Sequence, residues 1–207
     1  MDRLLLKFGI AAPILYFATV IVCSLLNPGY SQVSQYVSEL GAATAKRPDI
    51  FAVGIITTGA FAVIAGLGFG FGLRRKARGL ILPLLTALTL IAWGASLVVG
   101  GLYPMPDARH GAYGLGLAIQ AAPLLMFLAL GGRPDMTGLK TFLLLIFLAS
   151  GALLAAMMGV GHVVHAAQVG LWQRAYALAS IPWIAVAAAC LDQGLARKDR
   201  KDKAARA

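Results

Sequence analysis

The scarcest side chains in this sequence are the ones that could do chemistry: three histidines and eight acidic residues, with Glu39 the single glutamate. Asp107 and His110 sit three apart in the short polar stretch Leu102–Tyr113. His162 and His165 are also three apart, a spacing that puts two rings on one face of a helix. Three imidazoles beside a carboxylate suit a catalytic zinc ion, which takes three protein ligands and one water. Such a water is an activated nucleophile, and Glu39 or Asp107 could carry its proton. His110, His162 and His165 are therefore candidate metal ligands, with Ser38 a further hydrogen-bonding group. Haem is disfavoured, because its axial pair would have to join His110 to His162 or His165 across a gap and no second pair exists.

A plainer chemistry uses overlapping residues. Asp107 would cap the following helix, where a carboxylate meets free N–H groups, and His110 would pair with it. Arg174 lies at a helix start, where the dipole does not favour a cation, so it needs Asp107, Glu39 or a lipid phosphate as partner. On this reading Ser38, Glu39, Asp107, His110 and Arg174 bind a lipid headgroup or small ligand. Tyr30, Tyr36, Tyr103, Tyr113, Trp172 and Tyr176 surround them and read as an aromatic belt at the membrane surface.

The elements that must position these groups are apolar. Hydrophobic residues make up 59% of the 207 and charged residues only 13%. Runs near twenty residues with almost no charge cross a hydrocarbon core of about 30 Å as helices, and they lack the alternation of barrel strands. The expectation is an all-α polytopic bundle of six transmembrane helices, about 8–27, 50–73, 80–102, 113–130, 139–165 and 175–191. Residues 1–195 then form one domain and 196–207 a basic, disordered tail. The first run reads as a retained helix, since no Ala-x-Ala cleavage site follows it, and Asn27-Pro28-Gly29 stops it. Val33, Tyr36, Val37 and Leu40 predict a short helix along the interface within 31–41. Gly66 and Gly70, one turn apart, predict close approach of a neighbouring helix. Pro83, Pro123 and Pro182 are positions of helix bending.

The net charge of +10 does not point to nucleic acid, because the basic residues lie between or after the apolar runs rather than in a stripe. They read as orientation signals. Fourteen of the eighteen lysines and arginines fall on one side: Arg3, Lys7, the 74–78 cluster, Arg133, Lys140 and the tail. Lys46, Arg47, Arg109 and Arg174 fall on the other. The rule then puts both termini in the cytoplasm of a cell with this protein in its inner membrane, and the histidines, Glu39 and Asp107 outside. Cys23 and Cys190 belong to opposite leaflets, beyond disulfide reach. Self-association into a homo-oligomer, or a structural place in a larger membrane complex, is left open.

Three stretches form a set: Asn27-Pro-Gly-Tyr with Val37-Ser-Glu-Leu-Gly41, Tyr103-Pro-Met-Pro-Asp107 with His110-Gly111, and Gly170-Leu-Trp-Gln-Arg174 ahead of Trp183. In this order the chain resembles the bacterial and archaeal six-helix membrane family known as domain of unknown function 998. The resemblance covers nearly all of the chain but the tail, and implies an integral membrane protein without an assigned reaction. It carries Ser38, Glu39, Asp107, His110 and Arg174, while His162 and His165 stand outside its pattern. The chain is more loosely similar to membrane hydrolases that include alkaline ceramidases, which hold zinc with three histidines beside an aspartate and a serine. Those have seven helices and a histidine pair at i, i+4. That similarity implies the alternative function, zinc-dependent hydrolysis of a lipid amide or ester.

Overall fold

Six apolar segments have to satisfy every backbone N–H and C=O internally if they are to sit in lipid, and a helix does so within itself. The computed structural model describes residues 2–205, and among them it is all-helical, with no strand. Six segments are long and apolar enough to span a membrane. In chain order the helices are α1 (Asp2–Leu26), α2 (Pro48–Arg74), α3 (Ile81–Leu102), α4 (Ala122–Ala129), α5 (Thr137–Met157), α6 (Val169–Ser180) and α7 (Trp183–Ala204). A 3-10 turn, Val37–Gly41, lies between α1 and α2. The chain is a multi-pass membrane helix bundle.

α2 is the hub. It packs along α1 and α3, touches α7, and receives the 3-10 turn near its N-terminal end, while α1 also packs on α7. The glycines of α2 explain why so many neighbours fit. A Cβ on Gly66 would meet Ile91 and the Ala87 carbonyl of α3, and one on Gly70 would meet Ala87. Gly68 instead faces the backbone of Leu5 and Leu6 in α1, and Gly72 faces Leu191 in α7. The spacing of four thus serves α3, and the two intervening glycines serve α1 and α7. The tightest crossing pairs Gly59 with Gly94, where each added Cβ would meet the other's carbonyl oxygen, at 2.5 and 2.7 Å.

Several boundaries differ from expectation, each for a local reason. α1 begins at Asp2, so Arg3 and Lys7 lie inside it; Asn27 closes it, its side-chain amide donating to the Cys23 carbonyl at 2.7 Å. The fourth span is not one α-helix over 113–130. Residues Ala108–Gln120 form a 3-10 segment broken at Ala112–Gly114, whose φ values are positive, and the α-helix starts only at Ala122, beside Pro123. Gly111, Gly114 and Gly116 disfavour helix, and a proline is at home in a first turn. Pro182 likewise breaks the sixth span into α6 and α7. α7 continues into the tail as far as Ala204. Asp192 pairs with Arg3 at 2.6 Å and Asp199 pairs with Arg75, which also holds Asp2. Arg206, counted above among the tail's charges, lies outside the described residues.

Around Gly94 the colliding atoms are backbone, so α2 and α3 must separate to admit a methyl. Gly94→Ala is expected to cost about 1–3 kcal/mol through overpacking. Gly79→Ala, where nothing lies within 4 Å, serves as the neutral control. Thermal unfolding of the two variants in one detergent checks this; equal midpoints would refute the close-packed crossing.

Candidate polar site at one end of the bundle

The polar groups between α1 and α2 organise around Glu39. Its Oε1 accepts the Tyr36 backbone N–H at 2.7 Å and its Oε2 the Gln35 amide at 2.8 Å. This is the reach-back of a capping box, with the carboxylate three residues into the turn. Gln35 in turn accepts the Ser31 N–H at 2.7 Å. Val37 and Leu40 are buried, but Val33 and Tyr36 stay exposed. The expected short helix is therefore only the 3-10 turn Val37–Gly41, preceded by turns. Asn27, Tyr30, Gln35, Glu39 and Thr44 line a cavity of about 270 Å³ here.

The start of α6 docks onto this connection. Leu171 N–H donates to the Val33 carbonyl at 2.9 Å, and Val37 N–H to the Gln173 side chain at 2.7 Å. Gly170 is required, since a Cβ there would run into the Gln35 carbonyl. Arg174 completes the joint. Its Nε donates to Gln32 Oε1 at 2.5 Å, and its Nη1 to the Gln35 and Gly170 carbonyls at 2.9 and 2.8 Å. Its Nη2 donates to the Tyr30 hydroxyl, which donates onward to the Tyr36 carbonyl. Burial pushes the Tyr30 phenol up, so it keeps the proton it donates. Among the described residues no carboxylate lies within ion-pair distance of Arg174, and no cation within that of Glu39. Arg174 is satisfied by neutral oxygens, not by Asp107 or Glu39.

The loop before the 3-10 segment is self-contained. Asp107 caps it as expected, accepting the Arg109 N–H at 2.8 Å. It also takes the Arg109 guanidinium at 2.7 and 3.0 Å, and that guanidinium lies 3.8 Å over the Tyr103 ring. His110 does not pair with Asp107; its Nδ1 meets the Tyr103 carbonyl at 2.9 Å. Ser38 Oγ donates to Met105 sulfur at 3.1 Å and so ties this loop to the first connection. No hydrogen bond or ion pair joins His110 to Glu39 or Arg174 among the described residues.

His162 and His165 do not share a helix face. α5 ends at Met157, and Gly159 and Gly161 have φ of 97° and 74°. His162 itself is left-handed at φ 52°, His165 is extended, and both rings are exposed. Two glycines so close together end the helix where the apolar pattern runs on. Among the described residues no three His, Cys, Asp or Glu side chains gather to hold a metal. Residues His110, His162 and His165 do not fit a three-histidine site.

The geometry therefore brings together the three stretches that stood out in the sequence: 27–41, 103–111 and 170–174. A family model matches residues 10–190, the family described as protein of unknown function, DUF998. The chain belongs to the DUF998 family. No curated protein and no solved structure matches it. The residues missed in the DUF998 chain's sequence are the neutral partners: Tyr30, Gln32, Gln35, Met105 and Gln173. One signal for them existed, since Ser31, Gln35 and Glu39 are spaced by four in a polar stretch and do bond in series.

Arg109 holds the Asp107 carboxyl down to about 2, chiefly by its side-chain hydrogen bonds. A depressed folded value means the pair's stabilisation is complete above the ordinary value of about 3.9 and is lost as pH falls toward the folded one. A carboxyl NMR titration of the micellar protein is expected to place Asp107 about two units below the ordinary value, and Arg109→Gln to return it upward. An unshifted Asp107 would sink the pairing. Arg174→Lys, which keeps charge but loses the fork, is expected to cost about 2–3 kcal/mol, read as a lower unfolding midpoint.

Proposed function

We propose that the polar cavity beside the 3-10 turn binds the amine-bearing headgroup of a lipid or a small zwitterion, with its ammonium against Glu39. One observation carries this reading. Glu39 is a carboxylate held in place by two N–H donors, facing a cavity, with no cation within ion-pair distance among the described residues. A carboxylate accepts up to about four hydrogen bonds, so fixing two leaves acceptor capacity for a ligand. Arg174 sits behind Tyr30 and Gln35, outside the cavity lining, and has one of its five N–H donors left over. Its positive charge favours a ligand that carries an anionic group as well. Arg174 thus acts by positioning, and by balancing Glu39 across Gln35. A cavity of about 270 Å³ is on the scale of a headgroup, below the roughly 300–1,000 Å³ of drug-sized sites. His110 and Asp107 lie in the neighbouring loop that Ser38 fastens to this one, and support the rim.

The orientation belongs to the same proposal. The concentration of basic residues on the termini face places that face in the cytoplasm and this cavity outside, in the inner membrane of a bacterial cell. A C-terminal fluorescent-protein fusion that folds and fluoresces, beside an inactive periplasmic reporter at the same position, is the expected pattern; the reverse pattern refutes the orientation.

Binding is tested with detergent-purified protein and phosphatidylethanolamine. Glu39→Gln is expected to weaken retention about tenfold, the loss of one charge-assisted hydrogen bond; its amide oxygen still accepts the Tyr36 N–H, and losing the Gln35 bond costs about 1 kcal/mol of stability without unfolding the protein. Equal retention by Glu39→Gln and the parent protein would overturn the reading.

A further inference from the structure

At the opposite end of α2 the chain builds a second kind of site. Lys76, in the turn after α2, is 93% buried by its 7% exposure, although a lysine is almost never fully buried without a partner. Among the described residues its ammonium has only Asp135 within ion-pair distance, at 3.5 Å, and that carboxylate is mostly exposed. Beside it, Arg133 donates its Nε to the Lys76 carbonyl at 2.6 Å, and its two terminal nitrogens make no hydrogen bond among the described residues. The Arg78 guanidinium lies over Gly132, whose missing side chain leaves it room. Arg78 has neither a hydrogen bond nor an ion pair among the described residues.

Two cavities meet at this group, both walled by Lys76 and Arg133. One, of about 440 Å³, runs from Arg78 along Leu80, Ile81 and Pro83 to Leu128 and Ala129. The other, of about 850 Å³, lies toward α7, where Arg197, Lys198, Arg200 and Lys201 outnumber Asp135 and Asp202. The first cavity changes character where α3 begins, at Ile81: cations outside the span, apolar wall inside it. Leu80, Ile81 and Leu128 are exposed.

We propose that the first of these cavities holds an anionic phospholipid, with its phosphate among Lys76, Arg78 and Arg133 and an acyl chain against Leu80, Ile81 and Leu128. Charge complementarity selects the occupant. Lys76, Arg78 and Arg133 line the first cavity, which no carboxylate lines among the described residues, so a phosphate restores balance, and guanidinium forks suit phosphate oxygens. The apolar wall selects a lipid over a soluble anion. An orientation signal alone requires basic residues near a span end, but not a buried lysine opening onto an apolar cleft. Basic pockets between spanning helices are a known form of anionic headgroup site.

The test uses the full chain in nanodiscs of mixed phosphatidylglycerol and phosphatidylcholine, with lipid retained after detergent extraction counted by native mass spectrometry. Phosphatidylglycerol is expected to be retained about tenfold over phosphatidylcholine, and Arg78→Gln with Arg133→Gln to remove about a tenfold preference, one charge-assisted contact's worth. Arg47→Gln, an exposed cation at the other end of the bundle, leaves that preference unchanged. Because Arg133 also bonds to the chain, Arg78→Gln alone decides if the double variant unfolds. Equal retention of the two lipids, or an undiminished preference in Arg78→Gln, overturns the proposal. So does thermal protection by inorganic phosphate equal to that by phosphatidylglycerol, which would assign a free-anion site.

Discussion

In lipid there is no hydrophobic drive to bring helices together, because the acyl chains are as apolar as leucine. Association rests on close contact, and in this protein that contact is the glycine-lined surface of α2. Gly59 against Gly94 lets two backbones touch, and Gly66 to Gly72 let three neighbours approach one helix from different sides. Everything polar follows from that placement. α2 has the first connection at its N-terminal end and the Lys76 turn at its C-terminal end, so both polar groups hang on the same rod. α5 contrasts with it. Only Leu139, Leu143 and Ser150 are buried there, and neither site draws on its middle.

The second organising contact is the seating of α6 on the first connection. Arg174 is central, but its partners are neutral: two backbone carbonyls, a glutamine and a tyrosine. A guanidinium satisfied in this way keeps its net charge while losing most of its donors. Glu39 is in the mirror-image state, its charge intact and two lone pairs spent on N–H groups. The protein thus holds two opposite charges near one another without joining them, with Gln35 bonded to both. Joining them directly would have cancelled the field and filled the cavity.

The six spans and the kinship were legible, because apolar runs and scarce motifs are one-dimensional signals. Asn27 ending α1 and Asp107 capping the 3-10 segment were legible for the same reason: caps act within a few residues. The histidine site was misread because periodicity continued across Gly159 and Gly161, and the choice of a left-handed backbone overrode it. The partner of Arg174 was out of reach, since backbone carbonyls carry no residue type and a search by charge looks only for Asp107 or Glu39. Ion pairs from Asp192 and Asp199 reach back to Arg3 and Arg75, contacts distant in sequence that no local window contains.

The two ends of the bundle also use charge in different ways. At the α6 end Arg174 and Glu39 are oriented by neutral neighbours, so the cavity offers direction: an acceptor fixed in place. At the Lys76 end the cations are held near one another with little in between, so the clefts offer field more than geometry. Field attracts any anion and is screened by salt within about 10 Å at 0.1 M, whereas a fixed acceptor discriminates by hydrogen-bond position. For the anionic lipid proposed there, such a field supplies attraction, and the apolar wall beginning at Ile81 would add the selection that charge lacks. The oriented Glu39 has no such apolar wall, and its selectivity must come from the hydrogen bonds of Gln35 and Tyr36 that aim it.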